Sequence, residues 1–275
     1  MTQKPFFLLG MGAQKCGTSW LAQQLKHHPS FLISPIKELH YWDRRFHPEF
    51  FRPQKLAQKI RKLANNDLDE LATDPLLERF LMERHEAFYL SFFESRLKDR
   101  HRAFGEFSPS YCILLEEELR YIQEFMPYPT KALFSMRDPV ARLWSQCKME
   151  QLKASNRNQP YDALHMFKTA AEDPHFYARS DYVTTVRNMD AAFAPEDRHY
   201  VFFEELFSQE SIDEILGFLG LETRAFDFKD NPNEGLSIAR PSPEDWQRVA
   251  ELFLPIYDFV QNRFGRLPKG WSPPK

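Results

Sequence analysis

The stretch "FFLLGMGAQKCGTSWLAQQL" (residues 6–25) sets an apolar run against a glycine-bearing loop and then a segment of helical period. From Gly12 it spells Gly-x-x-x-x-Gly-Thr-Ser, one residue away from the phosphate-binding pattern G-x-x-x-x-G-K-[ST]. Thr18 fills the usual lysine slot, and a lysine stands three positions earlier as Lys15. A strand, a glycine loop and a helix beginning near Gly17 leave the N–H groups of the first turn without partners inside the helix. They converge where the helix dipole also favours an anion. Gly12 and Gly17 let the backbone wrap such a group, and Thr18 and Ser19 add hydroxyls. Lys15, at the crown of the loop, suits an oxygen that gains charge as it leaves a bound phosphate. No metal-binding carboxylate is evident near the loop, which favours metal-free transfer. A tight strand-to-helix turn would account for the glycines alone. Cys16 lies beside a helix N-terminus, where a thiol pKa can fall, but it reads more simply as a small residue that fits the turn.

Outward from this unit, apolar runs recur at 31–33, 103–107, 131–136 and 199–203. Helical period marks 17–27, 84–98, 115–125, 139–153, 176–193, 211–219 and 244–264. Strands alternating with helices predict an α/β, three-layer fold with a central, mostly parallel sheet flanked by helices. The chain has 275 residues, of which 43% are hydrophobic and 26 are Phe, enough for a sizeable core with aromatic helix faces. A single domain over 1–275 is expected. Residues from about 44 to 100 form a helical insertion over the sheet, and a long loop and helix occupy about 227–265. The last helix, with Trp246, Val249, Leu252, Phe253, Ile256, Phe259 and Val260, reads as core or as the surface of a homodimer.

A net charge of −3 argues against a general nucleic-acid binder and leaves room for a local basic pocket. Cys16, Cys112 and Cys147 show neither metal spacing nor a disulfide framework, and they read as free thiols in a reducing compartment. His27, His28, His85 and His101 also lack metal spacing. With no apolar run near 18 residues and no signal-type segment, a soluble cytoplasmic protein without an integral membrane segment is expected.

Two further clusters follow the loop. "KELHYWD" (37–43) comes just after the second strand. In a right-handed β–α–β unit it returns to the edge of the sheet that carries the loop. Glu38 is poorly placed to bind an anion there and well placed to take a proton from an incoming hydroxyl. Lys37 can hold charge developing in the transition state, and His40 and Asp43 can position an acceptor. A solvated Lys-Glu turn is the plain alternative. "KALFSMRDPVARLWSQ" (131–146) reads as a strand ending at Met136, with Asp138 and Pro139 starting a helix. Arg137 at the same edge and Ser145 two turns into the helix suit a second phosphate. Arg142 is expected to pair with Asp138. Glu106 is either a further carboxylate near the site or a buried structural one.

Taken together, these clusters resemble the sulfotransferases that use 3′-phosphoadenosine 5′-phosphosulfate (PAPS). "GAQKCGTSWL" (12–21) is similar to their 5′-phosphosulfate loop and "SMRDPVARLWSQ" (135–146) to their 3′-phosphate motif. "KELHYWD" and "GEFSPSY" (105–111) are similar to segments of the heparan-sulfate branch, with Ser108 in place of a threonine. "RSDYVTTVRNM" (179–189), "HYVFFEEL" (199–206) and "ILGFLGL" (215–221) follow the family's later course. The likeness weakens across 44–100 and fades after 222.

The resemblance implies a P-loop-type fold and in-line transfer of a sulfuryl group to a hydroxyl or amine, with 3′,5′-phosphoadenosine as product and no metal required. It implies Lys15 at the departing oxygen, Glu38 as general base, Lys37 beside the sulfuryl group, and His40 and Asp43 at the acceptor. Cys16, Gly17, Thr18, Ser19 and Trp20 would hold the 5′ side of the donor, and Arg137 and Ser145 its 3′-phosphate. Tyr182 and Arg240 would lie near the donor. The acceptor, a small molecule or carbohydrate, stays open. A histidine base and an Arg-Lys-Gly terminal loop, both known from cytosolic relatives, are not found here. The remaining alternatives are a kinase-like phosphotransferase and a non-catalytic nucleotide-binding protein of the same fold.

Overall fold

The computed structural model describes residues 4–50, 54–66, 74–226, 228 and 238–274. Five strands, β1 (Phe6–Gly10), β2 (Phe31–Ile33), β3 (Ala103–Phe107), β4 (Thr130–Met136) and β5 (Arg198–Phe202), form one sheet in the order β2-β3-β1-β4-β5. Every pairing is parallel, so the sheet goes beyond the mostly parallel one expected. Side chains alternate between two cores. Phe7, Leu9, Phe104, Ala132 and Phe134 enter one, while Leu8, Ala103, Leu133 and Val201 enter the other. Burial on both faces explains why these strands read as continuous apolar runs rather than alternating ones. The connections reverse direction beside β1, and the crevice at its carboxyl end is where such sheets bind ligands.

Helices cover both faces: α1 (Thr18–Lys26), α2 (Trp42–Phe46), α3 (Gln54–Asn66), α4 (Pro75–Met82), α5 (Ala87–Glu94), α6 (Glu116–Phe125) and α7 (Pro139–Ser155). There follow α8 (Ala163–Ala170), α9 (Pro174–Tyr177), α10 (Tyr182–Ala192), α11 (Phe203–Leu206), α12 (Gln209–Phe218), α13 (Pro243–Leu252) and α14 (Leu254–Phe264). The described residues between 44 and 100 are helical or irregular, without a strand. Helix α5 buries Tyr89, Phe92 and Phe93, and the Phe93 ring lies 5.7 Å from Phe7 and 5.5 Å from Phe104.

Two expected helices are broken. The segment 244–264 divides at Phe253 because Pro255 stands in the first turn of α14, where it has no N–H and its ring would clash with the carbonyl of Glu251. Val249, Phe253, Ile256 and Val260 are all buried in the chain's own core. The segment 176–193 becomes α9 and α10, the second capped by Asp181, which accepts from Thr184 N–H at 3.1 Å. Most of the expected loop at 227–245 lies outside the described residues. From 238 the chain leads to Ser242, which caps α13.

Candidate active site

Between β1 and α1 the loop is tied to β4. Met11 N–H donates to Leu133 O (2.8 Å), Ala13 N–H to Ser135 O (2.7 Å) and Ser135 N–H to Gly12 O (2.7 Å). The Ser135 hydroxyl donates to Cys16 O at 2.6 Å. Gly17 has φ 85°, and a Cβ there would stand 2.6 Å from Leu206 Cδ2, so conformation and contact both select glycine. As N-cap of α1 it offers no side-chain acceptor, which leaves the helix N-terminus open to an external anion.

Lys15, held at φ 71°, forms the crown of this loop. Burial, together with the charges of Arg137, Lys37, Lys153 and Lys148, holds its ammonium below the usual lysine pKa. Such a convergence is repulsive by itself and is relieved by a polyanion. Thr18 is buried and Ser19 half-buried beneath the crown. Trp20 is also buried, edge-on to Phe207 at 4.9 Å and stacked on Phe228 at 5.9 Å. For Cys16 the option of a low-pKa thiol is overturned: burial pushes the thiol up to about 12, and nearby arginines offset only part of that.

Arg137 follows β4. Its Nη1 donates to Lys15 O (3.2 Å), its guanidinium lies 4.2 Å from the Phe203 ring centroid, and its buried Nε has no partner among the described residues. Tyr182 sits beneath it, fully buried, donating its hydroxyl to Arg137 O at 2.8 Å. Tyr182 is thus committed to the Arg137 backbone and presents no exposed surface. A cavity of about 410 Å³ joins Arg137, Ser145 and Arg240 with Lys148, between Trp144 and Trp246. Lys148 escaped the sequence reading although it stands one helical turn beyond Ser145, a spacing that carried the signal.

Beneath Arg137, Asp138 caps α7 by accepting from Ala141 N–H (2.8 Å), and its other oxygen accepts from the Tyr257 hydroxyl (2.8 Å) and Ser272 N–H (3.0 Å). Glu204 accepts from Asp138 N–H (3.2 Å) and Trp271 Nε1–H (2.8 Å). The expected Arg142–Asp138 pair gives way to this arrangement. Arg142 turns inward, donating to Ser180 Oγ, Gln146 Oε1 (2.8 Å) and Phe176 O (3.3 Å).

The segment 37–43 closes the other side. The Lys37 and Lys153 charges act on both Lys15 and Glu38, so the loop and this segment lie close together. Glu38 and His40 have φ of 59° and 50°, values uncommon for residues with side chains and enriched at functional sites. His40 lies between two carboxylates, with Nδ1 2.7 Å from Asp43 Oδ2 and Nε2 3.3 Å from Glu38 Oε2. Asp43 has no exposed surface, and its other oxygen accepts from Arg44 N–H (2.9 Å). Both of its oxygens are thus engaged within the chain, one with His40 and one with Arg44 N–H.

Burial would pull the His40 pKa down, but the hydrogen bonds to Asp43 and Glu38 outweigh it and raise it to about 9. Burial likewise pushes the Glu38 carboxyl up, and the His40 hydrogen bond with the His40, Lys37 and Lys153 charges more than reverses this. Near neutral pH, Glu38 is thus ionised beside a cationic His40. Because the folded pKa of His40 lies above its ordinary 6.5, its stabilising contribution is complete below that pH and is lost as pH rises through about 9. Melting temperature between pH 6.5 and 9 should therefore fall less steeply in His40→Gln than in the parent. Parallel slopes would contradict this.

Glu106 proves structural. It is fully buried and accepts from the hydroxyls of Tyr89 (2.7 Å), Ser108 (2.8 Å) and Tyr111 (2.8 Å). Among the described residues no group of three His, Cys, Asp or Glu is placed to hold a metal ion, and no helix is long and apolar enough to cross a membrane.

A family model described as the sulfotransferase family matches residues 5–225. No curated protein matches. Among solved structures, a sulfotransferase of Alicyclobacillus acidocaldarius is similar over 98% of this chain and 99% of its own, with TM-score 0.68 and 21% identity. A sulfotransferase domain from the curacin biosynthetic pathway is similar over 90% of this chain and 96% of its own (TM-score 0.50, 15% identity). A sulfotransferase of Mycobacterium avium is similar over 94% of this chain and 77% of its own (TM-score 0.50, 14% identity). At these identities the likeness concerns the fold, a parallel sheet flanked by helices.

Proposed function

Because the chain belongs to the sulfotransferase family, we infer that it moves the sulfuryl group of PAPS to an acceptor hydroxyl or amine, with Lys15 rather than a metal ion meeting the charge on the departing oxygen. The observation that carries this reading is the gathering of Lys37, Arg137, Lys148 and Lys153 around Lys15, in a chain whose net charge is −3. Such a cleft suits a donor with two separated phosphate groups, and the spare Nε of Arg137 suits one of them. When bound, PAPS supplies a sulfuryl group on a phosphate leaving group.

The remaining roles fall to the chain. Backbone N–H groups and hydroxyls from Gly17 to Ser19 hold the 5′ side, with Cys16 and Trp20 packing the loop from below. Arg137, Ser145 and Lys148 receive the 3′-phosphate, with Arg240 across the same cavity. Glu38 takes the acceptor proton, Lys37 supports the transferring group, and His40 orients Glu38. The chain acts as one catalytic unit on a small-molecule or carbohydrate acceptor. The motif at 37–43 supports kinship with the heparan-sulfate branch. Three buried free thiols suit a reducing cytoplasm.

Calorimetry tests the donor assignment. 3′,5′-Phosphoadenosine should bind without added metal, and Arg137→Ala should weaken it by about 10- to 100-fold, the worth of a charge-assisted hydrogen bond. Tight Mg²⁺-dependent ATP binding in place of 3′,5′-phosphoadenosine binding would sink the reading in favour of a kinase. Labelled PAPS screened against sugars, phenols, alcohols and amines then identifies the acceptor.

A further inference from the structure

The conformation of the 38–42 segment is imposed from outside it. Positive φ at both Glu38 and His40 persists only where the surroundings over-determine the backbone, and two buried groups from distant parts of the chain do so. On one side Arg79, from helix α4 of the 44–100 segment, is 3% exposed. Its Nε donates to Leu39 O at 2.6 Å and its Nη2 to His40 O at 2.7 Å. Its Nη1 lies 3.6 Å from Glu83 Oε1, which in turn is 3.0 Å from Arg44 Nη2. On the sheet side the Ser108 hydroxyl accepts from His40 N–H (3.1 Å), and the Tyr111 hydroxyl accepts from Tyr41 N–H (3.2 Å) and Trp42 N–H (3.4 Å). Both hydroxyls donate to the Glu106 carboxyl, which keeps their lone pairs turned toward the segment. The successive Leu39 and His40 carbonyls are thus held by a cation, and the N–H groups of His40, Tyr41 and Trp42 by hydroxyls anchored on an acid.

We propose that Arg79 is a positioning residue for the catalytic segment, clamping Leu39 and His40 against Ser108, Tyr111 and Glu106 so that the Glu38 carboxylate stays in the cleft with His40 beside it. As a statement about catalysis this rests on Glu38 acting as the base, while the geometry of the clamp does not. The 44–100 segment thereby gains a role, since α4 delivers the guanidinium that a short turn after β2 has no means of supplying itself. Lysine would not replace it, because one ammonium on a flexible stem lacks the planar fork that meets two adjacent carbonyls at once.

The test uses Arg79→Met, which keeps the aliphatic stem and removes every donor, with Arg79→Lys beside it. In protein carrying ¹³C-labelled histidine, with the His40 signal assigned through His40→Gln, the parent should titrate near pH 9. In Arg79→Met the midpoint should move toward the ordinary 6.5, because His40 is no longer held between Glu38 and Asp43. Binding of 3′,5′-phosphoadenosine should be unchanged, and kcat with the acceptor from the labelled-PAPS screen should fall by about tenfold or more with KM for PAPS unaltered. Arg79→Lys should recover part of both effects. A folded Arg79→Met in which His40 titrates as in the parent overturns the clamp, as does a loss of nucleotide binding in step with kcat. If Arg79→Met does not fold, Ser108→Ala removes one arm from the other side, and an unchanged His40 titration there is equally fatal. Glu38→Gln run in parallel separates the two readings: full turnover removes the base assignment while the titration still reports on the clamp.

Discussion

Glu38→Gln should lower kcat by about 10²- to 10⁴-fold, the usual contribution of a positioned base, while 3′,5′-phosphoadenosine binds as tightly as to the parent or more tightly. The amide keeps the size and hydrogen-bonding reach of the carboxyl but cannot take a proton. It also removes an anion from a cleft that holds Lys15, Lys37 and Lys153, so a polyanionic ligand meets a more positive surface. The hydrogen bond and charge of His40 keep Glu38 ionised near neutral pH, which fixes the protonation state a base needs at some cost in basicity. Full turnover in Glu38→Gln would refute the assignment, and equal losses of turnover and nucleotide affinity would recast Glu38 as a structural residue.

Lys15→Ala should cost about 10²- to 10³-fold in kcat, the scale on which one aimed charge or donor acts in the transition state, and should also weaken the donor. The distinguishing expectation concerns the protein without nucleotide. Lys15 is held among like charges and is partly desolvated, so its removal relieves repulsion that the empty cleft carries. Alanine and lysine share the same Cβ and meet the φ of 71° alike, so no backbone strain is gained or lost. Melting temperature without ligand should hold or rise, while the increase on adding 3′,5′-phosphoadenosine shrinks. A large drop in the ligand-free melting temperature would show that Lys15 serves the fold instead.

The sheet was legible because its strands are buried on both faces: runs such as Phe6–Gly10 and Ala103–Phe107 admit few other readings. The Gly12–Ser19 loop was legible because glycine spacing is a local code. The helix at 244–264 was misjudged by following its period past Pro255, although that residue carries the warning itself. The partners of Asp43, Arg142 and Tyr182 were not legible for a different reason. Each is fully buried and commits its polar atoms to another protein group, and which group that is depends on packing that no spacing reveals. Arg79 is the extreme case, since a side chain bonded to backbone carbonyls 39 and 40 residues away leaves no pattern in either segment.

The floor under Arg137 has a consequence for the order in which the molecule can be made. Asp138 is held by Tyr257 and by the backbone of Ser272, and Glu204 by Trp271, partners that lie up to 134 residues further along the chain. During synthesis the Gly12–Ser19 loop and Arg137 emerge before residues 257–272, so the platform beneath Arg137 waits for that later stretch to leave the ribosome. Contacts of such long range close late, after the local ones have formed. A nascent chain would thus display the Gly12–Ser19 loop, Glu38 and Arg137 well before the floor beneath Arg137 exists.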